Sequence, residues 1–442
     1  MPSPPSRKPS AAVKPGPPAS DSGLASRRAA LDVVFAALDR RSGLDEALTG
    51  PALGGLEPRD RAFARALAMT VLRRKGGLDR LLQQRLAKPP PEEVQALLAL
   101  GVAQLLWLDT PAHAAVSTTM ALAETQRACR PFKPLINAVL RGIGRDGPPE
   151  LPPEVWAPDW LLARWRAAYG EAAAQAIAAL VPEEPAADLT PKDPDDAAAL
   201  AEAVGGKVLP GGSVRTERRG DLSDWPGFEE GRWWVQDASA AIPARLLHAR
   251  PGETALDLCA APGGKTLQLA ATGADVTAVD RSAARLERVR QNLERMGLKA
   301  EIVAADAGAW DDPRQFDAVL LDAPCASTGT FRRHPDVLWA ARPADIAKLA
   351  EVQHRLLAAA ARKVKPGGRL VYCVCSLEPE EGEGQVASFL AAHPDFHLGP
   401  ITDGEGGAPS ASLTPEGALR ILPCHLDGGT DGFFAVRFAR VG

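Results

Sequence analysis

Residues 256–266 read LDLCAAPGGKT, and this stretch decides the fold of the second half of the chain. An apolar run ends at Cys259, and two adjacent glycines, Gly263 and Gly264, follow it. Because glycine has no Cβ, the backbone at these positions can pass close to a ligand. The stretch therefore predicts a strand that ends in a ligand-binding turn.

Short β-type runs alternate with helical patterns from Gly231 onward. The strand candidates are Thr254–Leu258, Asp275–Val279, Ala300–Val303, Phe316–Leu321 and Arg369–Cys373. The clearest helices between them are Arg281–Met296 and Ala344–Val364. Such alternation predicts an α/β, Rossmann-like fold with a mostly parallel, doubly wound sheet. Two final runs, around Ile421 and at Phe433–Phe438, predict an antiparallel edge.

The 442 residues, 45% of them hydrophobic, are enough for more than one domain. Residues 1–22 are rich in Pro, Ser, Ala and Lys and predict a disordered lead-in. Residues 23–145 carry apolar side chains at helical spacing and predict an all-α domain. Residues 146–230 predict a small α/β connector, and residues 231–442 predict the domain that contains the doubly wound sheet.

Charge is distributed unevenly along the chain, although the net charge is only −4. Residues 1–150 carry 21 Lys and Arg against 14 Asp and Glu, whereas the remaining residues carry 30 against 41. A basic front half favours binding of a polyanion there. The alternative is that the arginines simply solvate helical faces, and charge alone does not decide between the two.

The glycine-rich turn lacks the G-x-G-x-x-G spacing, which argues against a dinucleotide cofactor. Asp280 ends the second strand candidate and is placed to accept hydrogen bonds from ribose hydroxyls. Asp306 follows the third strand candidate and could meet the amino group of an adenine. These positions predict a nucleoside cofactor, and their acidity would tolerate a cationic sulfonium nearby.

Two cysteines, Cys325 and Cys375, each follow a strand candidate. A pyrimidine C5 is too weak a nucleophile to accept a methyl group unless a thiolate first adds at C6. Asp322 could share a proton at N3 as negative charge spreads over the ring. Two thiols can divide the work, one adding and the other assisting elimination. This arrangement predicts methylation of cytosine C5, although either cysteine could instead be buried and inert.

Spacing does not decide which thiol adds. Cys325 follows Pro324, as the nucleophile does in DNA cytosine-C5 methyltransferases, whereas Cys375 follows the later strand. The chain has six cysteines, too few for a disulfide framework in this length, so reduced thiols in the cytoplasm are predicted. No run of about 20 apolar residues is present, so no membrane span is expected.

Several segments together resemble the Sun-type RNA 5-methylcytosine methyltransferases. They are Leu256–Thr266, Asp322–Gly329, Arg332–Asp336 and Tyr372–Ser376. The front half resembles the NusB-type helical RNA-binding domain through Gly101–Leu106, Pro111–Val116 and Leu135–Arg141. The two halves in this order are similar to the layout of bacterial 16S rRNA cytosine-C5 methyltransferases. The resemblance implies a class I methyltransferase fold preceded by an all-α NusB-like domain.

The resemblance also implies roles for individual residues. Cys375 would be the nucleophile and Cys325 would aid product release, which overrules the comparison with DNA methyltransferases. Asp322 would activate cytosine N3. The implied cofactor is S-adenosylmethionine, with contacts from Cys259, Ala260, Ala261, Pro262, Gly263, Gly264, Lys265, Asp280, Asp306 and Asp322.

The chain departs from the family pattern at two places. Asp188–Lys192 stands where relatives carry an Arg-Val-Asn type segment, which puts RNA contacts there in doubt. Cys373 stands where a small residue without a thiol is usual, so it either crowds the site or packs as a bystander.

The expected partner is 16S rRNA, free or within an assembling small subunit, with the target cytosine single-stranded or flipped out. Arg332 and Arg333, in the loop after Cys325, are candidates to clamp the nucleotide. The expected phosphate contacts of the helical domain are Arg59, Arg61, Arg65, Arg73, Arg74 and Lys75. A monomer without a metal ion is predicted. The competing hypotheses are a tRNA cytosine-C5 methyltransferase and a catalytically silent RNA-binding or assembly factor.

Overall fold

The computed structural model describes residues 19–39 and 43–442. The chain forms two compact units, one ending at Glu150 and the other running from Leu151 to Gly442. Most of the predicted lead-in lies outside the described residues, and the first helix already begins at Ala19.

The described part of the first unit is helical, as the sequence predicts. Its α-helices are α1 (Ala19–Leu38), α2 (Gly43–Thr49), α3 (Pro51–Gly54), α4 (Pro58–Arg73), α5 (Lys75–Arg85), α6 (Glu92–Trp107), α7 (Ala112–Thr125) and α8 (Lys133–Asp146). Apolar side chains at helical spacing form its core: Val94, Leu97, Leu98 and Val102 of α6 are completely buried. Each such side chain stabilises the unit by roughly 1.5–3 kcal/mol relative to exposure. Helix α6 therefore lies at the centre of this core.

The second unit begins with a small antiparallel sheet. Two helices, α9 (Asp159–Ala179) and α10 (Ala197–Val204), accompany strands β1 (Ala187–Pro191), β2 (Lys207–Val208), β3 (Val214–Thr216) and β4 (Trp233–Val235). The strand order is β2-β3-β1-β4. The sequence predicts a small α/β connector here but locates none of these strands, because most of them have only two or three residues and show no readable alternation. Strand β4 also lies beyond residue 230, where the connector was expected to end.

Asp188 of β1 belongs to the segment that departs from the family pattern. Its carboxylate forms a buried ion pair with Arg215, at 2.6 Å, and accepts a hydrogen bond from the backbone N–H of Ala238. This carboxylate therefore connects the small sheet to the start of the next helix.

The rest of the second unit is built on an eight-stranded sheet. Its strands are β5 (Thr254–Leu258), β6 (Asp275–Asp280), β7 (Glu301–Ala304), β8 (Phe316–Asp322), β9 (Val364–Val374), β10 (Phe396–Leu398), β11 (Leu419–Ile421) and β12 (Phe433–Arg440). Its helices are α11 (Ala238–Leu246), α12 (Gly264–Ala271), α13 (Ala283–Met296), α14 (Val337–Ala340), α15 (Pro343–Arg362) and α16 (Glu383–Ala392). The five predicted strands and both predicted helices are present, with ends shifted by a few residues.

The strand order is β10-β12-β9-β8-β5-β6-β7, with β11 paired to β12. Strands β5 to β9 pair in parallel, whereas β10, β11 and β12 form an antiparallel edge. The chain runs outward from β5 to β6 and β7, then returns to β8 on the other side of β5. Ligands bind beyond the carboxyl ends of the strands at such a reversal. The topology therefore places the site beyond β5 and β8.

Both faces of this sheet are covered, as a parallel sheet requires. Leu256, Val319 and Leu321 belong to one buried cluster, while Ala318 and Leu320 belong to the cluster on the other face. Successive side chains of a strand point to opposite faces, so this alternation follows directly from strand geometry. The strand ends are thereby held on a rigid support.

Candidate active site

The glycine-rich turn joins β5 to α12. Cys259 and Gly263 both have left-handed backbone conformations, with φ of 61° and 107°. Glycine adopts this conformation without strain, so Gly263 suits the turn. A Cβ at Gly264 would lie 3.3 Å from the side chain of Gln236, closer than ordinary packing allows. The turn thus brings the backbone of residues 259–264 to the carboxyl end of β5.

The two predicted acids stand at the neighbouring strand ends. The buried carboxylate of Asp280, at the end of β6, accepts hydrogen bonds from the backbone N–H groups of Ala261 (3.1 Å) and Ser282 (2.9 Å). Asp306, two residues after β7, is exposed and accepts from the N–H of Gly308 at 2.8 Å. Asp280 therefore fixes the glycine-rich turn against β6, while Asp306 presents a carboxylate to solvent beside it.

Asp257 of β5 is a site residue that the sequence reasoning missed. It is fully buried, accepts a hydrogen bond from the hydroxyl of Thr266 at 2.6 Å, and has a second oxygen, Oδ1, without a partner. Burial raises the pKa of this carboxyl to about 7, from an ordinary value of 3.8, although the bond from Thr266 acts in the opposite direction. Its position inside the quoted stretch was the available signal.

Asp257 should make stability depend on pH. Between pH 4 and 7 the unfolded chain ionises this carboxyl while the folded protein keeps it protonated, so the free energy of unfolding falls as pH rises through about 7. The slope is up to about 1.4 kcal/mol per pH unit. We expect Asp257→Asn to remove this component, so that urea denaturation at pH 5, 6, 7 and 8 shows the variant gaining stability relative to wild type up to pH 7. Parallel stability curves would contradict this assignment.

The two predicted thiols lie side by side. The Sγ atoms of Cys325 and Cys375 are 3.4 Å apart, and the Ser327 hydroxyl lies 3.6 Å from Cys375 Sγ. Strands β8 and β9 are parallel neighbours with Asp322 opposite Cys373, so the loops that follow them emerge at the same edge. Cys375 and Cys325, 50 residues apart in sequence, therefore occupy one site.

Their environments separate the two thiols chemically. A hydrogen bond to Cys375, followed by burial, raises the pKa of Cys325 well above its usual value. The same hydrogen bond, made from Cys325, lowers the pKa of Cys375 despite burial. The shared proton thus stays on Cys325, and Cys375 has the greater thiolate character. Thiolate, not thiol, is the nucleophilic form of cysteine.

Asp322 joins the turn to the thiols. Its carboxylate forms an ion pair with Lys265 Nζ at 2.7 Å and accepts a hydrogen bond from the thiol of Cys373 at 3.4 Å. Burial lowers the pKa of Lys265, but the nearby charge of Asp322 contributes to a net rise above its usual value. The side chain therefore stays an ammonium. Cys373, whose role the sequence left open, is buried in the core and contacts a predicted catalytic group.

The two arginines after Cys325 that were candidates to clamp the nucleotide differ in exposure. Arg332 is only 2% exposed and donates to the carbonyl of Gly428, so its assignment as an RNA contact is wrong. Arg333 forms an ion pair with the buried carboxylate of Asp431. Burial raises the pKa of Asp431 to about 6, against the effect of Arg333. Arg332 therefore braces the loop from within, which the sequence does not reveal. Arg333 keeps 38% of its side chain exposed, so its RNA contact stays a prediction.

The basic side chains of the first unit that were predicted to contact phosphates also differ in exposure and pairing. Arg73 is buried and is therefore not available to phosphate in this structure, which corrects its assignment. Arg74 stacks over Trp107, at 4.9 Å from the ring centroid, and Lys75 pairs with Asp79 at 2.7 Å. The remaining three, on α4, are exposed: Arg59, Arg61 and Arg65.

The three NusB-like segments of the first unit contribute to one cleft of about 570 Å³ among α6, α7 and α8. Leu105, Val116 and Leu140 are among its apolar lining residues, and Arg141 and Arg145 lie beside them. Both arginines are exposed, and neither forms an ion pair within the described residues. The cleft is thus apolar inside and cationic at one side.

Within residues 19–39 and 43–442, no three or more His, Cys, Asp or Glu side chains are grouped so that they could hold a metal ion. No helix among those residues is both long and apolar enough to cross a membrane.

A mostly parallel sheet with a glycine-rich turn at its reversal point, acids at successive strand ends and two adjacent thiols defines a Rossmann-like methyltransferase. Comparison with known proteins agrees. A family model described as 16S rRNA methyltransferase RsmB/F matches residues 244–439, and a NusB family model matches residues 24–145. The chain belongs to this RsmB/F methyltransferase family, which confirms the resemblance of both halves.

Two relatives illustrate the similarity. Ribosomal RNA small subunit methyltransferase B of Sodalis glossinidius is 39% identical over 421 residues, which cover 89% of this chain and 93% of the relative. The protein of the same name from Xanthomonas campestris pv. campestris is 39% identical over 404 residues, covering 86% and 90%.

Solved structures share the fold. The structure of PH0851 is 23% identical with a TM-score of 0.76, covering 94% of this chain and 98% of that one. A methyltransferase homolog protein from Pyrococcus horikoshii is 28% identical with a TM-score of 0.54, covering 64% and 95%. The chain is thus an S-adenosylmethionine-dependent methyltransferase, as its sequence predicts. The site fits the cofactor, because Gly263 and Gly264 place no side chain at the carboxyl end of β5 and Asp306 presents an exposed carboxylate. Asp280 is buried and both its oxygens accept backbone N–H bonds, so its contact with a ribose stays a prediction.

Proposed function

We propose that this enzyme methylates C5 of a cytosine in 16S rRNA through a covalent bond between Cys375 and cytosine C6. The observation that carries the proposal is the 3.4 Å separation of two chemically different thiols beside the Lys265–Asp322 pair. Relatives named for the small ribosomal subunit support the choice of RNA.

In the first step, the Cys375 thiolate adds to C6 of the cytosine. Negative charge then spreads through the ring toward N3 and O2, where Asp322 passes a proton taken up from solvent to N3 and the Lys265 ammonium offsets the remaining charge. Asp322 recovers that proton from N3 when Cys375 departs. Pre-placed polar groups of this kind stabilise developing charge without reorganising. S-adenosylmethionine, when bound at the turn, supplies the electrophilic methyl group that C5 accepts.

In the second step, the C5 proton must leave before the carbon–sulfur bond can break. Cys325 is the proposed base. Because Cys375 is the main cause of the raised pKa of Cys325, bonding of Cys375 to C6 removes that cause and lets Cys325 release its proton to solvent. The Cys325 thiolate then accepts the C5 proton, and Cys375 departs as a thiolate. Each thiol thus acts in a different half of the reaction.

We further propose that residues 23–145 hold the RNA, that residues 231–442 perform catalysis, and that residues 146–230 connect them. The exposed arginines of α4 and those beside the α6–α8 cleft support this division. We place the enzyme in the cytoplasm, since both its substrate and its reduced thiols belong there. We further propose that it acts as a monomer.

The test of the proposed function is tritium transfer from labelled S-adenosylmethionine to 16S rRNA taken from a strain that lacks the enzyme. Incorporation at one cytosine, matched by loss of that site in bisulfite sequencing of the deletion strain, would support the proposal. Free 16S rRNA and small-subunit particles are assayed in parallel to identify the substrate. Incorporation into tRNA instead would change the substrate, and none in any RNA would favour a silent binding factor.

Charge reversal on α4 should weaken RNA binding. We expect Arg59→Glu/Arg61→Glu/Arg65→Glu to raise the Kd for 16S rRNA by at least tenfold, because each lost phosphate contact removes counterion release. The slope of log K against log salt should fall by about 2, at about 0.7 for each contact. The control reverses three exposed charges of the second unit, Arg288→Glu/Arg290→Glu/Lys299→Glu. Equal losses in both variants would point to net charge rather than to this face.

A further inference from the structure

Two buried carboxylates follow Cys375 in the chain, and they are satisfied differently. Glu378 and Glu381 are both fully buried. Glu378 forms an ion pair with Arg164. Glu381 forms no ion pair with any cation among the described residues. A buried carboxylate is unfavourable unless other groups satisfy it, so the bonds of Glu381 identify what it does.

The Glu381 carboxylate accepts hydrogen bonds from both thiol loops. The backbone N–H of Ala326, the residue after Cys325, donates to it at 2.9 Å. The hydroxyl of Ser376, the residue after Cys375, donates to the other oxygen. A third donor is Gln353 Nε2, at 3.0 Å, which also donates to the carbonyl of Pro324 before Cys325. One side chain therefore bridges the residues that adjoin both thiols.

The backbone of the same residue is fixed as well. The hydroxyl of Tyr372, on β9, donates to the carbonyl of Glu381 at 2.5 Å, and Tyr372 is completely buried. Glu381 is therefore held by strand β9 through its backbone carbonyl and by the two loops through its carboxylate. Such supporting contacts are how a protein fixes reacting groups within a fraction of an ångström.

We propose that Glu381 is a positioning residue for methyl transfer, whose carboxylate clamps the Cys325 and Cys375 loops together and keeps the shared proton on Cys325. The proposal deepens and rests on the proposed function. The negative charge of Glu381 raises the pKa of Cys325, in addition to the hydrogen bond that Cys325 donates to Cys375, burial and the charge of Cys375. The hydrogen bonds of Glu381 and its negative charge thus both favour the state in which Cys325 holds the shared proton.

The first test needs no RNA. Rates of iodoacetamide alkylation of Cys325 and Cys375 are measured separately, by peptide mass spectrometry, from pH 6 to pH 10. In wild type we expect Cys375 to react well ahead of Cys325. Glu381→Gln retains a carbonyl acceptor and loses the charge, so the Cys325 profile should shift to lower pH by about one unit. Glu381→Ala should abolish the difference between the two thiols.

The second test measures turnover with 16S rRNA. Glu381→Ala should lower kcat at least 100-fold with KM for RNA within threefold of wild type, and Glu381→Gln should recover at least a tenth of the wild-type kcat. The matched control is Glu380→Gln, one residue away and 51% exposed, which should leave both tests unchanged. Thermal unfolding shows whether the alanine variant folds. If it does not, the glutamine variant alone tests whether Glu381 positions the two thiols.

Unchanged alkylation profiles in folded Glu381→Gln, or full kcat in Glu381→Ala, would overturn the positioning role. Failure of wild type to methylate any RNA, with the alkylation shifts present, would instead overturn the proposed function and leave the clamp standing. The two failures are therefore distinguishable.

Discussion

Cys375→Ala is expected to abolish methyl transfer, with kcat lowered on the order of 10⁴-fold or more, as for other enzymes that lose their nucleophile. Without a thiolate at C6, cytosine C5 remains too poor a nucleophile to accept a methyl group. Tritium incorporation into 16S rRNA under single-turnover conditions measures the loss directly.

The control for this variant is Cys424→Ala, which removes a half-buried free cysteine of the same unit and should retain turnover. Binding of S-adenosylmethionine should be within a few fold of wild type in both variants, because neither thiol belongs to the glycine-rich turn. Substantial methylation by Cys375→Ala would contradict the assignment of the nucleophile. Methylation by Cys325→Ala/Cys375→Ala would contradict covalent catalysis itself.

The sequence predicts the parallel strands of the large sheet well because they are mostly apolar and most of them are separated by regular helices. Thr254–Leu258 is predicted to the residue, and the ends of β6 and β8 differ by one residue. The strand ends also place Asp280, Asp322 and the thiols on one edge, since parallel neighbours end together. This part of the site depends only on topology, which periodicity reveals.

Other parts of the site depend on contacts that sequence does not encode locally. The Glu381 clamp joins residues 55 positions apart, and the Lys265–Asp322 pair joins residues 57 apart. Arg332 and Arg73 carry the charge expected of an RNA contact, but both are buried. The sequence does not show this, because neither a loop sequence nor a single helical residue reveals which side is covered. The small strands β2, β3 and β4 were not located for a simpler reason, since two or three residues show no pattern.

Cys325→Ala is expected to trap the enzyme on its RNA. Addition through Cys375 and methyl transfer to C5 should still occur, but no base removes the C5 proton, so the carbon–sulfur bond persists. A protein–RNA adduct should then survive a denaturing gel, approach one equivalent of enzyme and carry tritium from the methyl group. Omission of S-adenosylmethionine should prevent accumulation, because addition at C6 is reversible until C5 is methylated.

The pH dependence of adduct formation separates the two thiols further. The hydrogen bond from Cys325 lowers the pKa of Cys375, so its removal in Cys325→Ala should raise that pKa and shift the rate of adduct formation to higher pH. Between pH 6.5 and 9.5, the rate of adduct formation by Cys325→Ala should therefore increase at a higher pH than the rate of Cys375 alkylation does in wild type. An adduct formed by Cys375→Ala and not by Cys325→Ala would reverse the roles of the two cysteines, since only the residue that bonds to C6 can hold the RNA.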